Sequence, residues 1–227
     1  MTDRDLRFAD RREAGRKLAE AVAALDLVEP VVLALPRGGV PVAYEVAKRL
    51  RAPLDILLVR KIGAPGQEEF GIGALVDGAS PQVVIDEATA RAVGASPDYI
   101  RREIARQLVE IERRRKAYAC GKPVPVAHKT AILVDDGIAT GGTVKAALQA
   151  LAKSRVGKVI LAVPVAPSSA LRELSELCDA VVCLWRPEPF HAVGEHYANF
   201  DQTSDEEVVL LLGDARKWPE ANDGAGR

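Results

Sequence analysis

Apolar positions along the chain follow two spacings that take turns. Short apolar runs recur along the chain at Val31–Leu35, at Leu54–Val59 with Asp55 inside it, and at Ala131–Val134, Val159–Val163 and Ala180–Leu184. Between them apolar residues recur every three or four positions, as at Ala14, Leu18, Ala21, Val22 and Leu25 within Asp10–Leu27, and at Val42, Val46 and Leu50. The first spacing suits strands covered on both faces, the second amphipathic helices. Further helices are expected after Thr143 and Ser168. Strands alternating with helices predict an α/β fold built on a doubly wound parallel sheet.

Two stretches break this alternation. Ile72–Val76 and Gln82–Asp86 flank the turn-forming Asp77-Gly78-Ala79-Ser80-Pro81 and read as a small antiparallel pair. Ile62–Gly71, rich in Gly, Pro and Glu, reads as a loop. Ser96-Pro97-Asp98 is a helix start, with serine as N-cap and proline at the first helical position. The helix it opens runs to about Ala119. Its charges, Glu103, Arg106, Glu110 and Glu112 through Lys116, read as a solvated face over a stripe of Ile100, Ile104, Leu108 and Ile111.

Composition narrows the class without selecting a chemistry. At 227 residues, 48% hydrophobic and 28% charged, the chain reads as one globular domain over 1–213 followed by a flexible tail over 214–227. A net charge of −1 gives no reason to expect binding to nucleic acid or to an anionic membrane. No apolar stretch approaches the ~18 residues of a membrane span, and the polar start Met1-Thr2-Asp3-Arg4-Asp5 is not a secretory signal. The three cysteines, Cys120, Cys178 and Cys183, form no C-x-x-C pair, which suits reduced thiols in the cytoplasm.

The chemistry is concentrated in residues 131–143. The strand Ala131–Val134 runs into Asp135-Asp136, then Gly137-Ile138-Ala139-Thr140-Gly141-Gly142-Thr143, then the helix-forming Val144-Lys145-Ala146-Ala147-Leu148. Small residues ahead of a helix leave backbone N–H groups open, which makes an anion site. The two acids would repel a polyphosphate laid on them. As acceptors they suit ribose hydroxyls, or waters on Mg²⁺. The segment lacks the lysine of a nucleotide-triphosphatase loop and the Gly-x-Gly-x-x-Gly spacing of a dinucleotide site. A second loop, Pro36-Arg37-Gly38-Gly39, repeats the strand–loop–helix order, and its arginine offers a fork of donors suited to a pyrophosphate.

Residues 131–143 resemble the phosphoribosyl-pyrophosphate (PRPP) motif of the type I phosphoribosyltransferases, in which four apolar residues precede two acids and an Ala-Thr-Gly-Gly-Thr loop. The order of elements from about Val31 to Trp185 is similar to that family. The resemblance implies that Asp135 and Asp136 meet the ribose hydroxyls, and that Ala139, Thr140, Gly141, Gly142 and Thr143 wrap the 5-phosphate. It assigns Arg37, Gly38 and Gly39 to the pyrophosphate loop, often a place of a non-proline cis peptide. It makes the stretch after Arg60-Lys61 a flexible loop that closes over PRPP, with Arg60 and Lys61 meeting the leaving pyrophosphate.

The implied reaction is Mg²⁺-dependent transfer of 5-phosphoribosyl from PRPP to a nitrogen of a nucleobase-like acceptor, as in nucleotide salvage. Asp135, Asp136 and Lys61 are its expected catalytic groups, and Mg²⁺ is carried mainly by PRPP and water. Ala139 stands where 6-oxopurine enzymes usually carry an acid, which weighs against hypoxanthine or guanine. The aromatic cluster Trp185, Phe190, Tyr197 and Phe200 after the last strand is expected to form a small hood, with Trp185 against the acceptor. A hydrophobic cap over the sheet edge would use the same residues. Two other readings share the motif: a regulator that senses PRPP without turning it over, and a PRPP-synthetase-like diphosphokinase. The short chain, without a second such domain, disfavours the latter. A homo-oligomer is compatible with the sequence.

Overall fold

The computed structural model describes residues 7–78 and 81–218. Five parallel strands, β1 (Val31–Ala34), β2 (Leu54–Ile56), β6 (Thr130–Val134), β7 (Lys158–Val165) and β8 (Ala180–Trp185), form a sheet in the order β2-β1-β6-β7-β8. The unbroken apolar runs are explained by its two covered faces. Val32, Ala34, Ile132, Val134, Ile160 and Ala162 join the core beneath α1 (Arg11–Ala23), α2 (Gly39–Leu50) and α7 (Asp205–Ala215). Their strand neighbours Val31, Leu33, Ala131, Leu133, Val159 and Leu161 pack under α5 (Gly142–Ala152) and α6 (Ser168–Ser175). The expected doubly wound α/β sheet is present.

A second, antiparallel sheet joins β3 (Val59–Ala64), β4 (Gln67–Val76) and β5 (Gln82–Ile85). It corrects two expectations. Leu54–Val59 is not one strand: β2 ends at Ile56, and Val59 already belongs to the other sheet. Leu58 N–H donates to Asp77 Oδ1 at 2.8 Å, fastening the crossing between them. Ile62–Gly71 is not an irregular loop but the outer part of the β3–β4 hairpin, turning at Pro65-Gly66, where Gly66 takes φ +72°. Ile62, Ala64 and Ile72 are buried, whereas Gln67 to Gly71 are exposed. A solvated ribbon of polar residues has the composition of a loop, and only its pairing makes it a strand.

Against the small sheet packs α4 (Pro97–Ala117), capped by Ser96 and preceded by the short α3 (Glu87–Ala92). Its inner face differs from the expected stripe: Leu108 is exposed, while Glu103, Gln107 and Ile111 are buried. Arg115 also turns inward, donating to Asp77 Oδ2 at 2.8 Å and to both oxygens of Asp55 at 3.2 Å. Burial pushes the Asp77 carboxyl up, and the Arg115 guanidinium opposes that shift. The helix is therefore held by charges as well as by apolar contact.

The domain boundary expected at residue 213 falls inside α7, which Ser204 caps and which buries Val208, Leu212 and Ala215. Trp218 packs on Tyr44 with ring centroids 5.1 Å apart. The rest of the expected tail, 219–227, lies outside the described residues. No helix among the described residues is long and apolar enough to cross a membrane.

Arg115→Ala leaves Asp55 and Asp77 buried without their cation, which for such pairs costs about 3–5 kcal/mol. Chemical denaturation should record that loss, and a change below ~1 kcal/mol would show the network to be dispensable.

Candidate active site

The site follows from one pairing. Strands β1 and β6 are parallel neighbours in register, Val31 opposite Ala131 through Ala34 opposite Val134. The chain passes from β1 outward to β2 and later returns to β6 on the other side of β1. The topological switch point therefore lies between β1 and β6, where ligands of such sheets collect beyond the strand ends. Both candidate loops emerge there, side by side.

Leu35 N–H still donates to the Val134 carbonyl at 2.9 Å, so Pro36–Gly38 leaves the sheet beside Asp135. The Pro36–Arg37 peptide is cis. Gly38 and Gly39 are required by closeness. A Cβ on Gly39 would stand 2.8 Å from the Val134 carbonyl oxygen, and one on Gly38 only 2.0 Å from Asp136 Oδ2. The Arg37 side chain pairs with α7, its Nη1 3.4 Å from Asp205 Oδ1 in the first turn of that helix. The structure thus brings Gly38 and Gly39 against Asp135 and Asp136, while the Arg37 side chain is paired with Asp205.

The two acids are not equivalent. Asp135 Oδ1 accepts from the Asp136 N–H at 2.9 Å. Burial, then the neighbouring Asp136 charge, push the Asp135 carboxyl well up. Burial also raises Asp136, but Arg11 opposes it, with Nε 2.7 Å from Oδ2. Arg11 in turn donates to the Asp201 carbonyl at 2.6 Å and lies over the Phe200 ring, 3.9 Å from its centroid. The Tyr197 hydroxyl donates to the Asp136 carbonyl at 2.5 Å. Sequence reading missed Arg11 and the role of Tyr197. Arg11 is the first residue of a helix capped by Asp10, and nothing local marks it as a partner for a residue 125 positions away.

Beyond the acids, Ala139, Thr140, Gly142 and Thr143 are exposed or half-buried. Gly141 takes φ +78°, and α5 opens at Gly142 without a side-chain cap. The first-turn N–H groups of α5 are then free for an anion. Across a cavity of about 800 Å³ stand Arg60 and Lys61 of β3, which share its lining with Gly142, Thr143 and Lys145. Lys61 Nζ holds the Glu69 carboxylate at 2.8 Å and its carbonyl at 2.7 Å. Arg60 Nε donates to Gln107 Oε1 of α4 at 2.9 Å. Neighbours in a strand, the two project to opposite faces of the hairpin, Arg60 toward α4 and Lys61 toward the side packed by α5, and each is engaged by the protein's own acceptors.

The hood is built from both ends of the chain. Phe8 bridges Tyr197, and Phe8, Tyr197, Trp185, Phe190, Val193 and Phe200 pack into one cluster beyond β8. Trp185 is half-buried, its ring edge-on to His196 at 4.6 Å. Val193 reaches the loop itself: a Cβ on Gly137 would meet its Cγ1 at 2.5 Å.

Gly38→Ala must displace the Asp136 carboxylate or the loop, and overpacking of this kind costs about 1–3 kcal/mol. Gly213→Ala, where a Cβ meets nothing within 4 Å, is the control in α7. Thermal melts should separate the two variants, and equal stability would contradict the close approach at Gly38.

Comparison with known proteins agrees with this geometry. The phosphoribosyl transferase domain family matches residues 9–197. Two Mycobacterium tuberculosis proteins, of strains CDC 1551 / Oshkosh and H37Rv and both provisionally named phosphoribosyl transferases, are 45% identical over 214 residues. The match covers 92% of this chain and 47% of each relative, so the chain spans about half the length of the curated relatives it matches. The crystal structure of TT1426 from Thermus thermophilus is similar throughout, with a TM-score of 0.81 and 43% identity over 93% of this chain and 99% of that one.

Proposed function

The chain belongs to the phosphoribosyl transferase domain family, and from that premise we propose that it moves 5-phosphoribosyl from PRPP to a nitrogen of a flat, nucleobase-like acceptor, releasing pyrophosphate. The observation that carries the reading is the contact of Gly38 with Asp136 at the β1–β6 switch point. It places a loop with an arginine, a carboxylate pair and an uncapped helix N-terminus along one edge. A ligand matching that edge has two phosphates at one end, hydroxyls in the middle and one phosphate at the other end.

In this reading the 5-phosphate lies on the N–H groups of Gly142 and Thr143, within the loop from Ala139. Asp135 and Asp136 accept from the ribose hydroxyls, and Arg37 with the Gly38-Gly39 backbone takes the diphosphate. As the bond at the anomeric carbon breaks, positive charge grows on the ribose near the two acids. Negative charge grows on pyrophosphate, beside Arg37 and within reach of Arg60 and Lys61 once Lys61 leaves Glu69. The carboxylates' ionised forms suit both tasks, and a pair pushed up by burial gains from each donor the ligand brings.

Mg²⁺ suits this donor set in a limited way. Arg11 already engages Asp136, and no group of three or more His, Cys, Asp or Glu able to hold a metal occurs among the described residues. Such a site fits an ion held mainly by the diphosphate and water, with Asp135 and Asp136 accepting from those waters. Mg²⁺ bound so would add positive charge beside the leaving group. The acceptor is placed under the hood near Trp185, and Ala139 offers no acid to a 6-oxopurine.

The test is a panel of nitrogen heterocycles incubated with PRPP and Mg²⁺, reading pyrophosphate release and PRPP affinity together. Release with one acceptor, lost in the Asp135→Asn/Asp136→Asn double variant, is the expected result. Binding that depends on the acids without release from any acceptor would favour a PRPP sensor, and PRPP affinity equal in wild type and the double variant would overturn the site.

A further inference from the structure

Among the described residues, each sheet edge but one is blunted. β2 is three residues long with Asp55 inside it, and Arg115 grips that carboxylate. β3 carries Arg60 and Lys61, and its pairing shifts register from Ile62 through Gly63 to Ala64. β5 is four residues long, and the Lys153 amino group donates to its Val83 carbonyl at 3.2 Å. Shortness, charge and bulges are the ordinary devices that keep an edge from pairing with another chain. β8 has none of them. Its six residues, Ala180 to Trp185, include no charge and no proline, and among the described residues no strand lies beyond it. Its hydrogen bonds show which way the backbone faces. Asp179 N–H donates to the Val159 carbonyl at 2.9 Å, and the Trp185 carbonyl accepts from Ala166 N–H at 3.2 Å. Backbone direction alternates along a strand, so Val181 and Cys183 also spend their groups on β7, and Ala180, Val182 and Leu184 turn theirs outward. None of the backbone bonds formed outside the strands engages Val182 or Leu184.

We propose that β8 pairs antiparallel with β8 of a second copy of this chain, joining two five-stranded sheets into one across a two-fold axis at Val182. In that register Val182 exchanges both of its backbone bonds with Val182 of the second copy, and Ala180 does so with Leu184. The surface is self-complementary, as a two-fold interface requires. Burial points the same way. β1 and β6 are buried along their whole length, whereas β8, with the same apolar make-up, is half-buried at all six positions. A neighbouring strand would supply the missing cover. The charges at the two ends of the strand select the occupant and its direction. Asp179 precedes β8 and Arg186 follows it, and both are exposed. Antiparallel pairing brings Asp179 of each copy to the end where Arg186 of the other leaves its strand. A parallel pairing would set acid against acid and base against base.

The experiment is sedimentation velocity on the full chain across micromolar concentrations, with circular dichroism melts on each variant. The wild type should sediment as a dimer in equilibrium with monomer. Val182→Pro removes an N–H that points away from β7, a position where an edge strand tolerates proline. It should weaken the dimer about tenfold, since each copy loses a hydrogen bond to the other. Arg186→Glu is an exposed change outside the strand that sets like charges together, and it should weaken the dimer by roughly the same factor. Adding Asp179→Arg to Arg186→Glu should restore association. Asp179 also accepts from the Val159 N–H at 2.7 Å, so dissociation constants are compared at a temperature where every variant is folded. If Val182→Pro melts below that temperature, the charge reversal decides alone. A dimer that Arg186→Glu weakens and the double reversal restores supports the proposal. A chain monomeric throughout overturns it and leaves the edge to an extended segment of another protein. A dimer indifferent to Arg186→Glu, or one that the double reversal fails to restore, also overturns it and moves the interface away from β8.

Discussion

The in-register pairing of β1 with β6 is the constraint on which the rest of this molecule depends. Parallel neighbours ending at the same level deliver their loops to the same place. Here that puts Gly38 so near Asp136 that no side chain fits between them. A slip of one residue would turn Val31 and Leu33 from the α5–α6 face to the α1–α2 face and carry Arg37 away from the acids. The apolar burial on both faces, which includes Val32, Ala34, Leu133 and Leu161, is what forbids that slip. Packing energy and site geometry are thus set by the same register.

Around that fixed edge the remaining parts converge from distant places in the chain. Arg11 from the start of α1, and Tyr197 from the hood, both hold Asp136, one by its carboxylate and one by its carbonyl. They balance the cost of placing two acids side by side in a half-buried position, a cost visible in the upward shift of both carboxyls. On the other side α4 holds the hairpin that carries Arg60 and Lys61. The site is therefore flanked on both sides by elements fastened through polar contacts. Lys61 paired to Glu69 is the most exposed of these fastenings, and exposed pairs of this kind exchange partners readily.

Features carried by local spacing were legible in the sequence. Continuous apolar runs at Val31–Leu35 and Ala131–Val134 announced strands buried on both faces, and Asp135-Asp136 before Thr140–Thr143 marked the passage from β6 through a small-residue loop into α5. Ser96-Pro97 marked the helix start at its place, with Ser96 as the cap and Pro97 as the first helical residue. Features carried by pairing were not legible. Gln67-Glu68-Glu69 is a strand only because β3 lies beside it. Glu103 and Gln107 look like any solvated helix face until Arg60 is set against them. Arg11 has no signal at all, because its partner lies at the far end of a sheet crossing. α7, opening on three consecutive acids after Ser204, shows the same limit: its apolar side is defined by α2, not by its own sequence.

The central claim, that one ligand spans the loop at Arg37, the acid pair and the helix start at Gly142, is tested most directly by a crystal structure of the chain grown with PRPP and Mg²⁺. The account places the 5-phosphate on the Gly142 and Thr143 N–H groups, the ribose hydroxyls on Asp135 and Asp136, and the diphosphate on Arg37 and the Gly38-Gly39 backbone. PRPP lying elsewhere, or turned so that its diphosphate sits at the start of α5 and its 5-phosphate at Arg37, would contradict it.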